Sequence, residues 1–281
     1  MKISVFTVCM PEYTPEEGAR LLAKIGYDGV EWRVTAVPKP GAPVRNFWDG
    51  NRCTLAPETL PAQADKIRKL CARHKLAMPC LGTYLGYQNL ALIERVMQGA
   101  ARMKVKQFRV DVARYDSKTS YGELLEQAVK GWMPVVELGR QYGVRPLAEI
   151  HMGTIVTSAS AARRFIEHFR PEEAVIILDP GNMVYEGFEN LQMGLEILGP
   201  YLAHVHVKNA ARTIRTGDPD GNLRWVCDSA TLRGGQVNWR DTLKILRSSG
   251  YDGWISLEDF VPGDTEVKLR DNLAYLQQLL A

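Results

Sequence analysis

Short apolar runs alternate with longer stretches of helical periodicity from one end of the chain to the other, the pattern of repeated βα units around a parallel sheet. About eight such units can be counted, at the usual barrel length of roughly 250 residues. The predicted strands are Ile3–Val8, Gly29–Arg33, Ala77–Gly82, Gln107–Val112, Arg145–His151, Ala174–Asp179, His204–Lys208 and Trp254–Glu258. Between them, Thr14, Pro15 and Glu17 read as N-cap, first helical residue and capping-box partner of a helix ending near Gly26. Asn238 or Asp241 opens another, ending near Gly250. The tetrapeptide Gly-Tyr-Asp-Gly occurs at Gly26–Gly29 and again at Gly250–Gly253, each time between a helix and a strand.

The stretch Ala210–Gln236 is rich in Arg, Asp, Gly and Thr and shows no clear element. It follows the C-terminal end of the seventh strand, so it is expected as a long loop over the active-site mouth, working as a lid or clamp. A doubly wound sheet would also explain the alternation, but its dinucleotide form needs a Gly-rich turn after the first strand. Here that turn reads Cys9-Met10-Pro11-Glu12-Tyr13, and no G-x-G-x-x-G or Walker loop occurs. The predicted fold is therefore a (β/α)8 barrel forming one domain over residues 1–281.

Composition changes this picture little. Hydrophobic residues make up 46% and charged residues 24%, enough apolar surface for a large core. The formal charge of +3 arises from 35 basic and 32 acidic residues spread along the chain, which gives no concentrated field for nucleic acid. The apolar start Ile3–Met10 is too short for a signal peptide, and no segment approaches a membrane span. Five cysteines without a close pair argue against a disulfide framework and point to a reducing cytoplasm.

The last four predicted strands each end on one strong metal-ligand type. These are Glu149 in Leu147-Ala148-Glu149-Ile150-His151, Asp179 in Ile177-Leu178-Asp179-Pro180-Gly181-Asn182, His206 in His204-Val205-His206-Val207-Lys208, and Glu258 in Ser256-Leu257-Glu258-Asp259-Phe260. One such residue alone is more often a helix cap, a surface pair or a satisfied core group. Four of them ending apolar strands would cost several kcal/mol to bury unless something compensates the charge, and a shared divalent cation does so. Three carboxylates and one imidazole are mostly hard ligands, so manganese ranks first, with magnesium, cobalt or zinc as alternatives. Open coordination positions would let the ion polarise a substrate carbonyl and hold a neighbouring hydroxyl, which makes an enediolate accessible.

These segments, with Gly250-Tyr251-Asp252-Gly253 leading into the last, resemble the xylose isomerase-like barrel superfamily of sugar isomerases and epimerases. The rhythm covers almost the whole chain, and the specific part is the C-terminal half. In the ketose 3-epimerases of that family the corresponding residues bind one metal and the two Glu act as acid and base. The resemblance thus implies Glu149 and Glu258 as catalytic residues, with Glu149, Asp179, His206 and Glu258 as ligands. An Arg six residues beyond the ligand His binds substrate in that branch, and Arg212 has that spacing. The epimerase branch also places a His three residues after the Asp, where this chain has Asn182. The Asp-Pro-Gly-Asn form, with Lys208 two residues after the ligand His, is closer to the group containing inosose isomerases, inosose dehydratases and hydroxypyruvate isomerase. A homo-oligomer is a further implication of the resemblance.

His151 shares the strand face of Glu149 and, with Asn182, Lys208 and Arg212, is a candidate substrate contact. His204 reads as a packed core imidazole. Glu31 could reach the substrate or pair with Arg33, and Trp32, Trp48 and Tyr84 could wall the pocket. The expected function is metal-dependent isomerisation or epimerisation of a small sugar or keto-polyol by Glu-mediated proton transfer. Two alternatives stay open: a lyase expelling water on the same scaffold, and a non-catalytic subunit that binds metal or sugar. The related DNA-repair endonuclease barrels build a three-zinc cluster from many His, and five His cannot supply it.

Overall fold

The computed structural model describes residues 1–281. Its strands are β1 (Lys2–Phe6), β2 (Gly29–Val34), β3 (Thr54–Leu55), β4 (Leu81–Thr83), β5 (Gln107–Arg109), β6 (Arg145–Glu149), β7 (Val175–Leu178), β8 (Leu202–Val207), β9 (Asn209–Arg215), β10 (Arg224–Ala230) and β11 (Trp254–Leu257). Its helices are α1 (Pro15–Ile25), α2 (Leu60–Arg73), α3 (Leu90–Met103), α4 (Tyr121–Tyr142), α5 (Ala159–Ile166), α6 (Pro180–Tyr185), α7 (Leu191–Leu198), α8 (Trp239–Ser248) and α9 (Thr265–Leu280). The order β1-β11-β8-β7-β6-β5-β4-β2, with β2 pairing back onto β1, closes eight parallel strands into a barrel. The predicted (β/α)8 fold is therefore the one observed. The short β3 lies outside this ring, beside the C-terminal end of β2.

The local signals explain the element ends. Thr14 and Glu17 form the reciprocal capping box at the start of α1, and Asn238 caps α8. Gly26 and Gly250, the first residues of the repeated tetrapeptide, both have positive φ, which lets the chain leave a helix and turn into the next strand. The third barrel strand begins later than expected, at Leu81, because Pro79 has no N–H to give the ladder. Ala77 keeps only an isolated bridge to Gly29. The expected loop over 210–236 is instead largely the antiparallel hairpin of β9 and β10, in which Arg212 faces Cys227 and Trp225 faces Ile214. Its bend is built by Asp218, which accepts from the amides of Asp220 and Asn222.

Most of the apolar core lies between the sheet and the surrounding helices. A separate small cluster of Cys80, Leu147, Val175 and Ile177 plugs the barrel interior. Alternation along the strands then sets what stands above that plug. Two residues beyond Leu147 comes Glu149, and two beyond Ile177 comes Asp179, both still pointing inward. The interior is tight at this level. A Cβ built on Gly82 would lie 2.2 Å from the Phe6 ring, which itself stacks 5.8 Å from His206. Gly82→Ala is expected to destabilise the protein by about 1–3 kcal/mol, read as a lower urea midpoint at unchanged slope.

Candidate active site

The four residues singled out at strand ends converge. Nδ1 or Nε2 of His206 and one carboxylate oxygen each of Glu149, Asp179 and Glu258 lie within 4.8 Å of one another, and all four residues are buried. Each owes its place to its strand: Glu149 ends β6, Asp179 follows β7, His206 is next to last in β8 and Glu258 follows β11. His206 Nδ1 stands 3.1 Å from Glu149 Oε1, 3.5 Å from Glu258 Oε1 and 3.9 Å from Asp179 Oδ2. Three carboxylates and an imidazole, buried together around one point, are the donor set a divalent cation takes.

Cationic side chains surround this cluster. Lys208 Nζ bridges Asp179 Oδ2 at 2.8 Å and Glu258 Oε2 at 3.0 Å. Arg109, the last residue of β5, donates Nη1 to Glu149 Oε2 and Nε to the Thr83 carbonyl, and its guanidinium lies 4.5 Å from the Tyr84 ring centroid. Sequence reasoning missed Arg109, although the signal was present: it is the inward position at the C-terminal end of a short strand, where a buried cation needs a partner.

Asn182, a candidate substrate contact, also holds two of the carboxylates. Its Nδ2 donates toward Asp179 Oδ2 at 2.8 Å and Glu149 Oε1 at 3.1 Å, and its backbone N–H donates to Asp179 Oδ1, which caps α6. It therefore aims two of the carboxylates, while its own Oδ1 is buried without a partner. The Arg212 guanidinium donates to the carbonyls of Val184 and Tyr185 at the end of α6, a helix-end contact. Glu31 does not pair with Arg33. It meets His204 and His206, whereas Arg33 donates to Thr54 Oγ1 and the Trp48 carbonyl. His204 is buried as expected, but it belongs to this polar layer.

Above the cluster opens a cavity of about 540 Å³, which shares walls with a smaller one of about 120 Å³. Trp48, Tyr84, Arg109, Glu149, His151 and Met152 line both, and Asn182, Lys208, Ser229 and Glu258 line the smaller. The hairpin thus reaches the mouth through Ser229 of β10. Trp48 and Phe260, 4.9 Å apart, form an aromatic wall, whereas Trp32 is fully buried in the core behind β2. His151 Nδ1 lies 2.8 Å from the Met152 carbonyl, which can only accept, so that nitrogen carries a proton and Nε2 is free of protein partners. Burial lowers the His151 pKa against the opposing pull of Glu149.

The charges are tuned by this crowding. Burial alone would raise the Glu149 carboxyl, but Arg109 and His206 outweigh it and hold it well below the usual range. Asp179 goes the other way: burial, with Glu149 and Glu258 beside it, overrides Lys208 and raises its pKa to about 7. A cation binding here must displace the Asp179 proton below that pH. Divalent-ion affinity is therefore expected to rise from pH 6 to 8, by up to roughly tenfold per unit for each proton displaced, in titrations of chelator-treated protein. An affinity flat across that range would contradict the raised carboxyl.

A family model described as xylose isomerase-like TIM barrel matches residues 19–279. The chain belongs to this family. Inosose dehydratase 2 of Bacillus cereus is 25% identical over 158 residues, covering 53% of this chain and 52% of the relative. The chain thus spans about half the length of the curated relatives it matches. Among solved structures, the IOLI protein with a bound zinc atom superposes with a TM-score of 0.76 at 17% identity, over 99% of this chain and 98% of that one. The 3-keto-D-glucoside 4-epimerase of E. coli gives 0.72 at 18% identity over 99% of each chain. At such identities these structures establish the shared barrel. No helix is long and apolar enough to cross a membrane, and all five cysteines are unpaired.

Proposed function

We propose that this xylose isomerase-like barrel is a divalent-metal-dependent enzyme that shifts a proton beside the carbonyl of a small sugar or keto-polyol, isomerising or epimerising it. The observation that carries the reading is the convergence of Glu149, Asp179, His206 and Glu258 at the C-terminal ends of the barrel strands, with Glu149 and Glu258 lining a cavity. These residues would hold the ion, and a bound divalent cation would supply electron withdrawal from a carbonyl and its neighbouring hydroxyl. Glu149 and Glu258 approach from different strands, so one can take the proton from the carbon beside the carbonyl while the other returns it. Arg109 keeps Glu149 ionised and fixed in direction. His151 Nε2 and Lys208 Nζ line the same space and can hold substrate hydroxyls or a developing oxyanion. The half-exposed Trp48 indole and Phe260 offer an apolar wall to the carbon face of the ligand.

Dehydration is the second reading. It is favoured by the similarity to inosose dehydratases and by Lys208, whose ammonium stands 3.0 Å from Glu258 and could hydrogen-bond a departing hydroxyl. Incubation with ketoses and keto-polyols in deuterated water separates the possibilities. Deuterium gained at unchanged composition supports isomerisation or epimerisation, and product lighter by one water supports the lyase. Tight sugar binding with neither change would leave a binding protein and defeat both.

A further inference from the structure

We propose that Glu31 and His204 form a positioning pair that fixes the ring of His206 with Nδ1 presented to the metal centre. This rests on reading the cluster of Glu149, Asp179, His206 and Glu258 as that centre. All three side chains are fully buried in the barrel. Glu31 Oε2 lies 2.9 Å from His204 Nε2, and Glu31 Oε1 lies 3.3 Å from His206 Nε2. A carboxylate can only accept, so each of these ring nitrogens carries a proton.

The consequence for His206 is specific. With Nε2–H committed to Glu31, Nδ1 is the nitrogen left to face Glu149, Asp179 and Glu258; it hydrogen-bonds to Glu149 at 3.1 Å, and its proton is the one a cation would displace to take the lone pair. Rotating the ring by half a turn would break the Glu31 bond and turn a carbon toward the carboxylates. Phe6, stacked at 5.8 Å, and His204, edge-on at 5.4 Å, leave the ring little room for anything between.

His204 does for Glu31 what Glu31 does for His206. Its Nδ1 is buried without a partner, so the placement that satisfies its proton is Nε2 against Glu31. Both oxygens of Glu31 are then occupied, and its carboxylate cannot swing to another donor. The negative charge of Glu31 behind the ring also makes Nδ1 a better donor. The same three residues could in principle hold a second cation. That would need metal on both nitrogens of His206, an imidazolate bridge in a fully buried layer, and positioning requires no such species.

The test is calorimetric titration of chelator-treated protein with Mn(II), for wild type, Glu31→Gln and His204→Gln, with folding checked by circular dichroism. One ion per chain is expected in wild type. Gln at position 31 offers one acceptor and one donor, so it cannot accept from both rings, and a loss of about 10–100-fold in affinity is expected. His204→Gln should lose affinity in the same direction but less. In zinc-loaded, nitrogen-labelled protein, long-range proton–nitrogen spectra should show the His206 Nε2–H in wild type and its displacement in Glu31→Gln, which a merely structural role would not produce. Unchanged affinity in the folded variants overturns the proposal, and if Glu31→Gln does not fold, His204→Gln decides by the same criterion. Two ions in wild type, one of them lost in His204→Gln, overturns it in favour of a second site. Wild type that takes up no ion defeats the metal-centre reading itself, and that result is distinct from the others.

Discussion

Glu149→Gln and Glu258→Gln are each expected to lower turnover, and the exchange of substrate carbon-bound hydrogen with solvent, by about 10³-fold. Gln keeps the size and one oxygen of the carboxylate but cannot accept a proton, so the substitution removes the chemistry while disturbing packing least. Either residue is also a ligand, and each variant must therefore be assayed over a range of divalent-ion concentrations. A loss that persists at saturating metal belongs to proton transfer, and one that disappears belongs to affinity. The two variants should also differ. Glu149 is held ionised by Arg109 and His206, which keeps it free to accept a proton but makes it a weak base, whereas Glu258 accepts a hydrogen bond from the Lys208 ammonium. An enzyme with full exchange in both folded, metal-loaded variants would leave the carboxylates with no role beyond holding an ion.

The barrel and the four converging residues were legible for a common reason. Inward-facing positions at strand ends recur every second residue, and charge placed there among apolar neighbours stands out in a linear sequence. The hairpin of β9 and β10 was not legible, because both its faces carry polar residues and its Asp and Gly turn reads as loop. Arg212 shows what spacing alone leaves out: six residues beyond His206 is a position on that hairpin, and its side chain donates to the end of α6. Glu31 shows another limit. Its local partner in sequence was Arg33, but a closed barrel sets β2 across the interior from β8, and only the closure reveals that His204 and His206 are within reach. Asn182 was visible as a departure from one branch of the family, and its aim at Glu149 and Asp179 follows from α6 starting directly after Asp179.

Lys208→Met should have the second large effect, on stability. The ammonium is buried and bonds to Asp179 and Glu258 at 2.8 and 3.0 Å, and these two carboxylates with Glu149 raise its pKa despite the burial that would lower it. Met fills similar space but leaves the carboxylates facing one another, and breaking such a buried pair costs about 3–5 kcal/mol. The sign of the pH dependence follows from Asp179. Its carboxyl is raised from 3.8 to about 7 in the fold, so the folded state holds a proton that the unfolded chain has released, and this contribution to stability is lost as pH rises through that window. Without the ammonium the carboxyl rises further, which extends the window upward. Urea unfolding of chelator-treated protein is thus expected to show a small deficit for Lys208→Met at pH 5 and the full deficit at pH 8. Added divalent cation should then restore more stability to the variant than to wild type, because it replaces the missing charge between the same carboxylates. Equal midpoints for the two proteins at pH 8 in chelator would mean that Lys208 is not holding the cluster together, and its place beside Glu258 would have to be explained by the substrate alone.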